Sequence, residues 1–370
     1  DERSRIRYSG SRRRQSAFKE IKLKSVTRMF LAAAAIAITG PMIHDAAAQE
    51  DEIKIRVPAL VTENITIASD TPGIQLYIRN KRPQEAAVSA DRILLYVHGA
   101  TYPSATAFDL QLDGMSWMDY IAAHGWDVYL VDLRGYGHST RPAEMDQPAK
   151  DNAPIVTTDV AVRDVGAAVD FILKRRGVSK LNLLGWSWGT TTMAAYTAQN
   201  NDKVNKLVLY APLWLRTTPA ASGGDGPLGA YRSVAKEAAK KRWLAGVPED
   251  KQADLIPPGW FEAWADATWA TDPKSKESGQ LRAPNGVIQD LRTYWMAGKP
   301  YYDPANIRVP TLLIKAEWDQ DTPSYMAQAL FPLLKNAPEK RYVEIGEGTH
   351  TVIMEKNRLQ LFREVQLFLD

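Results

Sequence analysis

The pentapeptide Gly185-Trp186-Ser187-Trp188-Gly189 sets a serine two residues from a glycine on either side. An apolar run over residues 181–184 precedes it, and a helical pattern begins near Thr190. A serine on such a strand–turn–helix is held clear at the strand's carboxyl end, with the helix N-terminus beneath any charge it develops. The tight turn needs small residues wherever a side chain would strike a neighbouring chain. A serine hydroxyl is a weak nucleophile and requires a base, normally a histidine held by a carboxylate. The chain has five histidines, His44, His98, His124, His138 and His350, and only His350 follows the serine. Two carboxylates, Asp319 and Asp321, stand a little ahead of it. Acyl transfer also needs donors aimed at the oxyanion of its tetrahedral intermediate, and the main-chain N–H of Trp188 is one.

These groups are far apart in sequence, so a scaffold must gather them. From about residue 60, short β-rich runs alternate with helical patterns, the signature of βα units and a mainly parallel sheet. Residues 64–69 and 74–79 read as opening strands around Thr71-Pro72-Gly73. Further strands are expected over 93–97, 127–131, 180–184, 206–210, 310–314 and 341–345. Helices are expected over 116–124, 160–174 with Asp159 as N-cap, 190–199 and 356–369. Residues 213–300 break the rhythm with helical patterns and six of the eleven tryptophans. They read as a helical insertion whose tryptophans mostly form its own core, a minority facing a pocket. The run Lys240-Lys241-Arg242 reads there as a solvated helix face.

Five landmarks in order carry a resemblance: His98-Gly99, Asp132-Leu133-Arg134-Gly135-Tyr136-Gly137-His138-Ser139, the serine pentapeptide, Trp318-Asp319 and Gly348-Thr349-His350. Over about residues 60–370 the chain resembles the α/β-hydrolase family, with the insertion where that family carries a cap domain. The resemblance implies an α/β fold, a mainly parallel sheet flanked by helices with an inserted helical cap. It also implies the chain order nucleophile, acid, histidine, hence Ser187, Asp319 and His350. The family's G-x-x-D-x-x-x-P pattern selects Asp319, although Ala316 replaces its glycine, and leaves Asp321 as the alternative acid. By the same analogy the second oxyanion donor is the N–H of Ala100, with Thr101 as fallback and its hydroxyl a third donor. Thr101 and Trp186 are candidates for substrate contact. His98 becomes a loop-orienting residue, and His124 and His138 become structural.

Composition narrows the field. The absence of cysteine excludes disulfides, thiolate metal sites and a cysteine nucleophile. The net charge of +3 is misleading, because residues 1–48 hold ten Lys/Arg and four Asp/Glu. The remainder carries 36 basic and 39 acidic residues, which argues against a nucleic-acid surface. Basic residues, the apolar run Met29 to Ile38 and Ala46-Ala47-Ala48 read as a bacterial-looking secretory signal cleaved after about Ala48. The expected organisation is therefore a leader (1–48), a first core part (49–212), a helical cap (213–300) and a second core part (301–370). The protein is expected to be exported, periplasmic or secreted, with no stable membrane insertion after cleavage. No dinucleotide loop or metal-ligand spacing is present, so no cofactor and no metal are expected. Oligomeric state leaves no trace in the sequence.

The expected activity is that of a serine hydrolase on carboxylic esters or related acyl bonds of small to medium, partly apolar substrates. A prolyl-type aminopeptidase or amidase is a rival, since Ser187-Trp188-Gly189 resembles that elbow and Glu262 or Asp266 would anchor an amine. A carbon–carbon bond hydrolase uses the same groups. A non-catalytic small-molecule binding protein is the reading from outside enzymology.

Overall fold

The structure, a computed structural model, describes residues 58–85, 88–220 and 226–370. The expected leader lies outside the described residues. The chain first lays down β1 (Leu60–Ala68), β2 (Gln75–Pro83), β3 (Ile93–Val97), α1 (Ala105–Phe108), α2 (Trp117–Ala123) and β4 (Asp127–Asp132). It continues through α3 (Thr158–Arg176), β5 (Leu181–Trp186), α4 (Trp188–Gln199) and β6 (Val204–Tyr210). An insert then carries β7 (Tyr231–Ala235), α5 (Lys236–Trp243), α6 (Gln252–Leu255), α7 (Trp260–Trp269), α8 (Ser275–Ser278), β8 (Gln280–Pro284) and α9 (Gly286–Asp290). The core resumes with β9 (Thr311–Ala316), α10 (Ser324–Leu330), β10 (Lys340–Ile345) and α11 (Arg358–Leu369).

Eight of the strands form one sheet in the order β1-β2-β4-β3-β5-β6-β9-β10. The β1–β2 and β2–β4 pairs are antiparallel, and the pairs from β4 to β10 are parallel. β3, ILLYV, is buried throughout because the sheet is covered on both faces. Successive strand residues point to opposite faces. Ile93, Leu95 and Val97 accordingly join a core cluster with α3 and α4, while Leu94 and Tyr96 join another with α2 and α11. β3 lies between β4 and β5, so the chain changes its direction of winding there. The crevice at the carboxyl ends of β3 and β5 is where such sheets hold ligands.

Two local expectations are corrected. Asp159 is not the N-cap of α3: Thr157 holds that position without a side-chain cap, and Asp159 pairs outward with Arg163. The orphan N–H of Thr158 donates instead to Asp290 Oδ2 at 2.6 Å, a carboxylate supplied by the insert. The insert is also not purely helical. β7 and β8 pair antiparallel, from Tyr231 opposite Pro284 to Ala235 opposite Gln280. A buried Arg282–Asp272 ion pair of 2.6 Å ties β8 to the turn before α8. Among the described residues no helix is long and apolar enough to cross a membrane.

Candidate active site

Ser187 sits between β5 and α4 with φ 58° and ψ −121°, a backbone conformation that L-residues rarely adopt. The surrounding glycines answer to close approaches. A Cβ on Gly185 would lie 2.3 Å from Gly189 O, and one on Gly99 would lie 2.7 Å from Ser187 Cβ. The loop after β3 is thereby pressed directly against the serine. Neither Ala100 N–H nor Trp188 N–H donates to another protein group among the described residues. Both are available to an oxygen bound beside Ser187. The Trp188 N–H also belongs to the first turn of a twelve-residue helix, whose dipole favours negative charge there.

The β3 loop is braced by two buried groups. His98 Nδ1 meets Gly99 O at 2.6 Å, and its Nε2 accepts Leu133 N–H at 3.1 Å. With one nitrogen donating and the other accepting, the ring is neutral, and burial pushes its pKa down to about 4. Asp132 accepts the N–H groups of Ser104 at 2.8 Å and His138 at 3.1 Å. Gly137 is required there, since a Cβ would fall 2.0 Å from Asp132 Oδ2. The His138 ring packs on Tyr77, and His124 Nδ1 meets Tyr120 O at the end of α2.

The loops after β9 and β10 meet through Trp318 N–H and Gly348 O at 2.8 Å. That junction brings His350 Nδ1 to 2.8 Å from Asp319 Oδ2. Asp319 is buried and also accepts Thr322 N–H at 2.8 Å and the Thr322 hydroxyl at 2.7 Å. Asp321 goes elsewhere: its two oxygens take Arg242 Nε at 3.0 and 2.9 Å. Burial pushes the His350 imidazole down, but the Asp319 and Asp321 carboxylates outweigh it and the group stands raised above its ordinary 6.5.

Three further residues fix this histidine, a role that no local pattern marks. Trp186 Nε1 donates to His350 O at 3.1 Å, and the Tyr210 hydroxyl donates to the same oxygen at 2.9 Å. Glu355, buried and pushed up to about 7 by that burial, accepts Thr349 N–H at 3.0 Å and Trp243 Nε1 at 2.8 Å. Trp243 belongs to the insert, so the histidine loop is anchored from outside the sheet.

Ser187 and His350 face one cavity, walled by Tyr102, Trp186, Trp243 and Trp264. A second cavity reaches Ser187 from the other side and is walled by Leu213, Val287, Ile288, Leu291 and Trp295. Arg242 and Asp321 border both. A wider mouth beyond them is lined by Thr101, Arg232, Lys241 and Arg242. The Lys240-Lys241-Arg242 run is therefore not a uniformly solvated face: Lys240 pairs outward with Glu262, whereas Arg242 turns in to Asp321. Thr101 lies at the mouth, with φ 86°, and its Oγ1 accepts Arg232 Nη2 at 2.6 Å. Glu262 and Asp266 are 63% and 74% exposed, pair with Lys240 and Lys236, and border none of these cavities. Among the described residues no group of three His, Asp or Glu is placed to hold a metal ion.

A serine on a strained strand-to-helix turn at the switch point of a mostly parallel sheet defines a class of α/β protein with its ligand site at the strand ends. Residues 93–357 match the alpha/beta hydrolase fold family, and the chain belongs to that family. It is similar to a probable lipase of Schizosaccharomyces pombe, 27% identical over 150 residues, which is 40% of this chain and 30% of the relative. It is also similar to the human serine hydrolase BPHL, 30% identical over 138 residues, which is 37% of this chain and 40% of the relative. The matched stretches thus span less than half the length of these curated relatives. Among solved structures, a thermophilic esterase from Thermogutta terrifontis superposes with a TM-score of 0.55 at 16% identity, covering 83% of this chain and 98% of that one. A meta-cleavage product hydrolase from Pseudomonas fluorescens IP01 gives 0.56 at 15% identity, covering 82% and 96%. At such identities the likeness is one of fold.

Proposed function

We propose that the protein is a serine hydrolase cleaving carboxylic esters of small to medium substrates, with Ser187 as nucleophile, His350 as base and Asp319 as orienting acid. The observation that carries this is the convergence, on one cavity, of Ser187 and a histidine whose Nδ1 is engaged by a buried carboxylate. With Nδ1–H given to Asp319, Nε2 is left to accept the serine proton. Ser187 Oγ then bonds to the carbonyl carbon, and the carbonyl oxygen takes up the negative charge facing Ala100 N–H and Trp188 N–H. Collapse breaks the bond to the leaving alkoxide, which takes its proton from His350. Water, deprotonated by the same histidine, frees the acid and restores Ser187.

Two cavities meeting at the serine suit a substrate with a group on either side of its scissile bond, one against Tyr102, Trp243 and Trp264 and one against aliphatic chains and Trp295. The relatives named as lipase and serine hydrolase agree with a hydrolytic role. The aminopeptidase reading loses its amine anchors, since Glu262 and Asp266 face away from the cavities. A fluorophosphonate is expected to label Ser187, and Ser187→Ala is expected to abolish labelling and to cut ester turnover by about a million-fold. Retention of turnover in that variant would overturn the mechanism.

A further inference from the structure

The positive charges beside Ser187 outnumber the negative ones, and the catalytic cycle uses none of the positive ones. Arg232, on β7, gives Nη1 to Pro284 O at 2.5 Å and Nη2 to Thr101 Oγ1, both neutral acceptors. No carboxylate pairs with it among the described residues. Arg242 spends only Nε on Asp321, and its two Nη groups have no acceptor among the described residues. The mouth is thus lined by Arg232, Lys241 and Arg242 against a single carboxylate, Asp321. Burial, and next to it the charge of Arg242, push Arg232 downward in pKa although Tyr136 opposes them.

Arg232 is half-buried, and a guanidinium partly withdrawn from water without a counter-ion gains when a ligand supplies the charge. Two guanidiniums at one opening, Arg232 unpaired among the described residues and Arg242 with its Nη groups to spare beyond Asp321, match a planar carboxylate better than any neutral group. The placement also sets the geometry. Arg242 borders both cavities that reach Ser187, and the mouth adjoins them, so a carboxylate held there leaves the rest of the molecule running inward to the serine.

We propose that the mouth formed by Arg232 and Arg242 is a carboxylate-binding subsite, and that the preferred substrates are esters carrying a free carboxylate several bonds from the scissile bond. This rests on the serine-hydrolase reading only in its catalytic arm. Asp321 is then a positioning residue that occupies the Nε edge of Arg242 and leaves the Nη edge for the ligand.

The test compares mono-4-nitrophenyl adipate with neutral 4-nitrophenyl hexanoate, two aryl esters of equal acyl length. The charged ester is expected to have a kcat/KM at least ten-fold higher at low salt, with most of that advantage lost in Arg242→Gln and in Arg232→Gln. Thr101→Val, which removes the acceptor of Arg232 but keeps its charge, is expected to lower turnover of both esters together. Where the esters are hydrolysed, equal or poorer turnover of the charged one by the unaltered protein overturns the proposal. A second arm measures binding of monomethyl adipate and of methyl hexanoate to Ser187→Ala by calorimetry. Tighter binding of the anion that depends on Arg242 supports the subsite even if neither aryl ester is hydrolysed, in which case the hydrolase reading alone falls. Equal binding of the two, or a preference that survives Arg242→Gln and Arg232→Gln, overturns the subsite.

Discussion

The loop after β3 holds a fully buried histidine and the loop after β10 a half-buried one, and the protein drives the two imidazoles in opposite directions. His98 has only main-chain partners, and burial pushes it down to about 4. Loss of solvent also presses His350 downward, but the carboxylates of Asp319 and Asp321 outweigh it and hold the ring raised. Burial alone therefore does not decide what a histidine does; a carboxylate within reach does. One ring is a neutral strut under the loop after β3; the other is the base of the mechanism proposed above.

Their effects on stability have opposite sign. Between about pH 4 and 6.5 the unfolded chain protonates residue 98 while the folded one does not, so its contribution rises with pH across that window. The contribution of His350 is fully present below 6.5 and is lost as pH rises through its raised folded value.

Removing the carboxylate should erase the contrast most severely. Asp319→Asn is expected to lower kcat by about 10,000-fold on a neutral aryl ester, because the amide can hold the imidazole in the wrong tautomer. A loss of only a few-fold in steady-state turnover would mean that Asp319 does not orient the base. His98→Ala should act on the scaffold instead. Leaving Leu133 N–H and Gly99 O unpartnered is expected to cost about 2 kcal/mol or more in urea unfolding. The rise in stability between pH 4 and 6.5 should shrink with it, while the acid limb of kcat/KM stays in place. The smallest effect is expected from Asp321→Asn. That limb lies above pH 6.5 because a raised base stays protonated to higher pH, and removing one raising carboxylate while freeing Arg242 should move it lower. A limb that does not move, followed across pH on one ester, would remove Asp321 from the account of His350.

What was legible in the sequence follows from range. The buried strands announced themselves as short apolar runs, and Ser187 and His350 were marked by a local motif and by scarcity. The β7–β8 pair was not legible, because YRSVA and QLRAP are five-residue strands of mixed polarity that meet only through tertiary contact. Asp159 stood where a cap is usually found, yet Asp290, 132 positions from Thr158, does that work. Arg242 looked solvated because its run is basic, and its ion pair with Asp321 spans 79 positions. Glu355 carries no local mark, since its burial depends on Trp243, 112 positions away.

The insert touches each loop of the site by a different hand: Arg232 on Thr101, Arg242 on Asp321, Trp243 on Glu355. A hinged swing of the whole insert would release all three loops together and dismantle the arrangement it was meant to admit substrate to. The mouth lies between β7 and α5 on one side and the core loops carrying Thr101 and Asp321 on the other, so its width stays fixed while those contacts hold. Exchange of the insert for a foreign one would then take the loops' alignment with it, and the two parts of the chain can only change together.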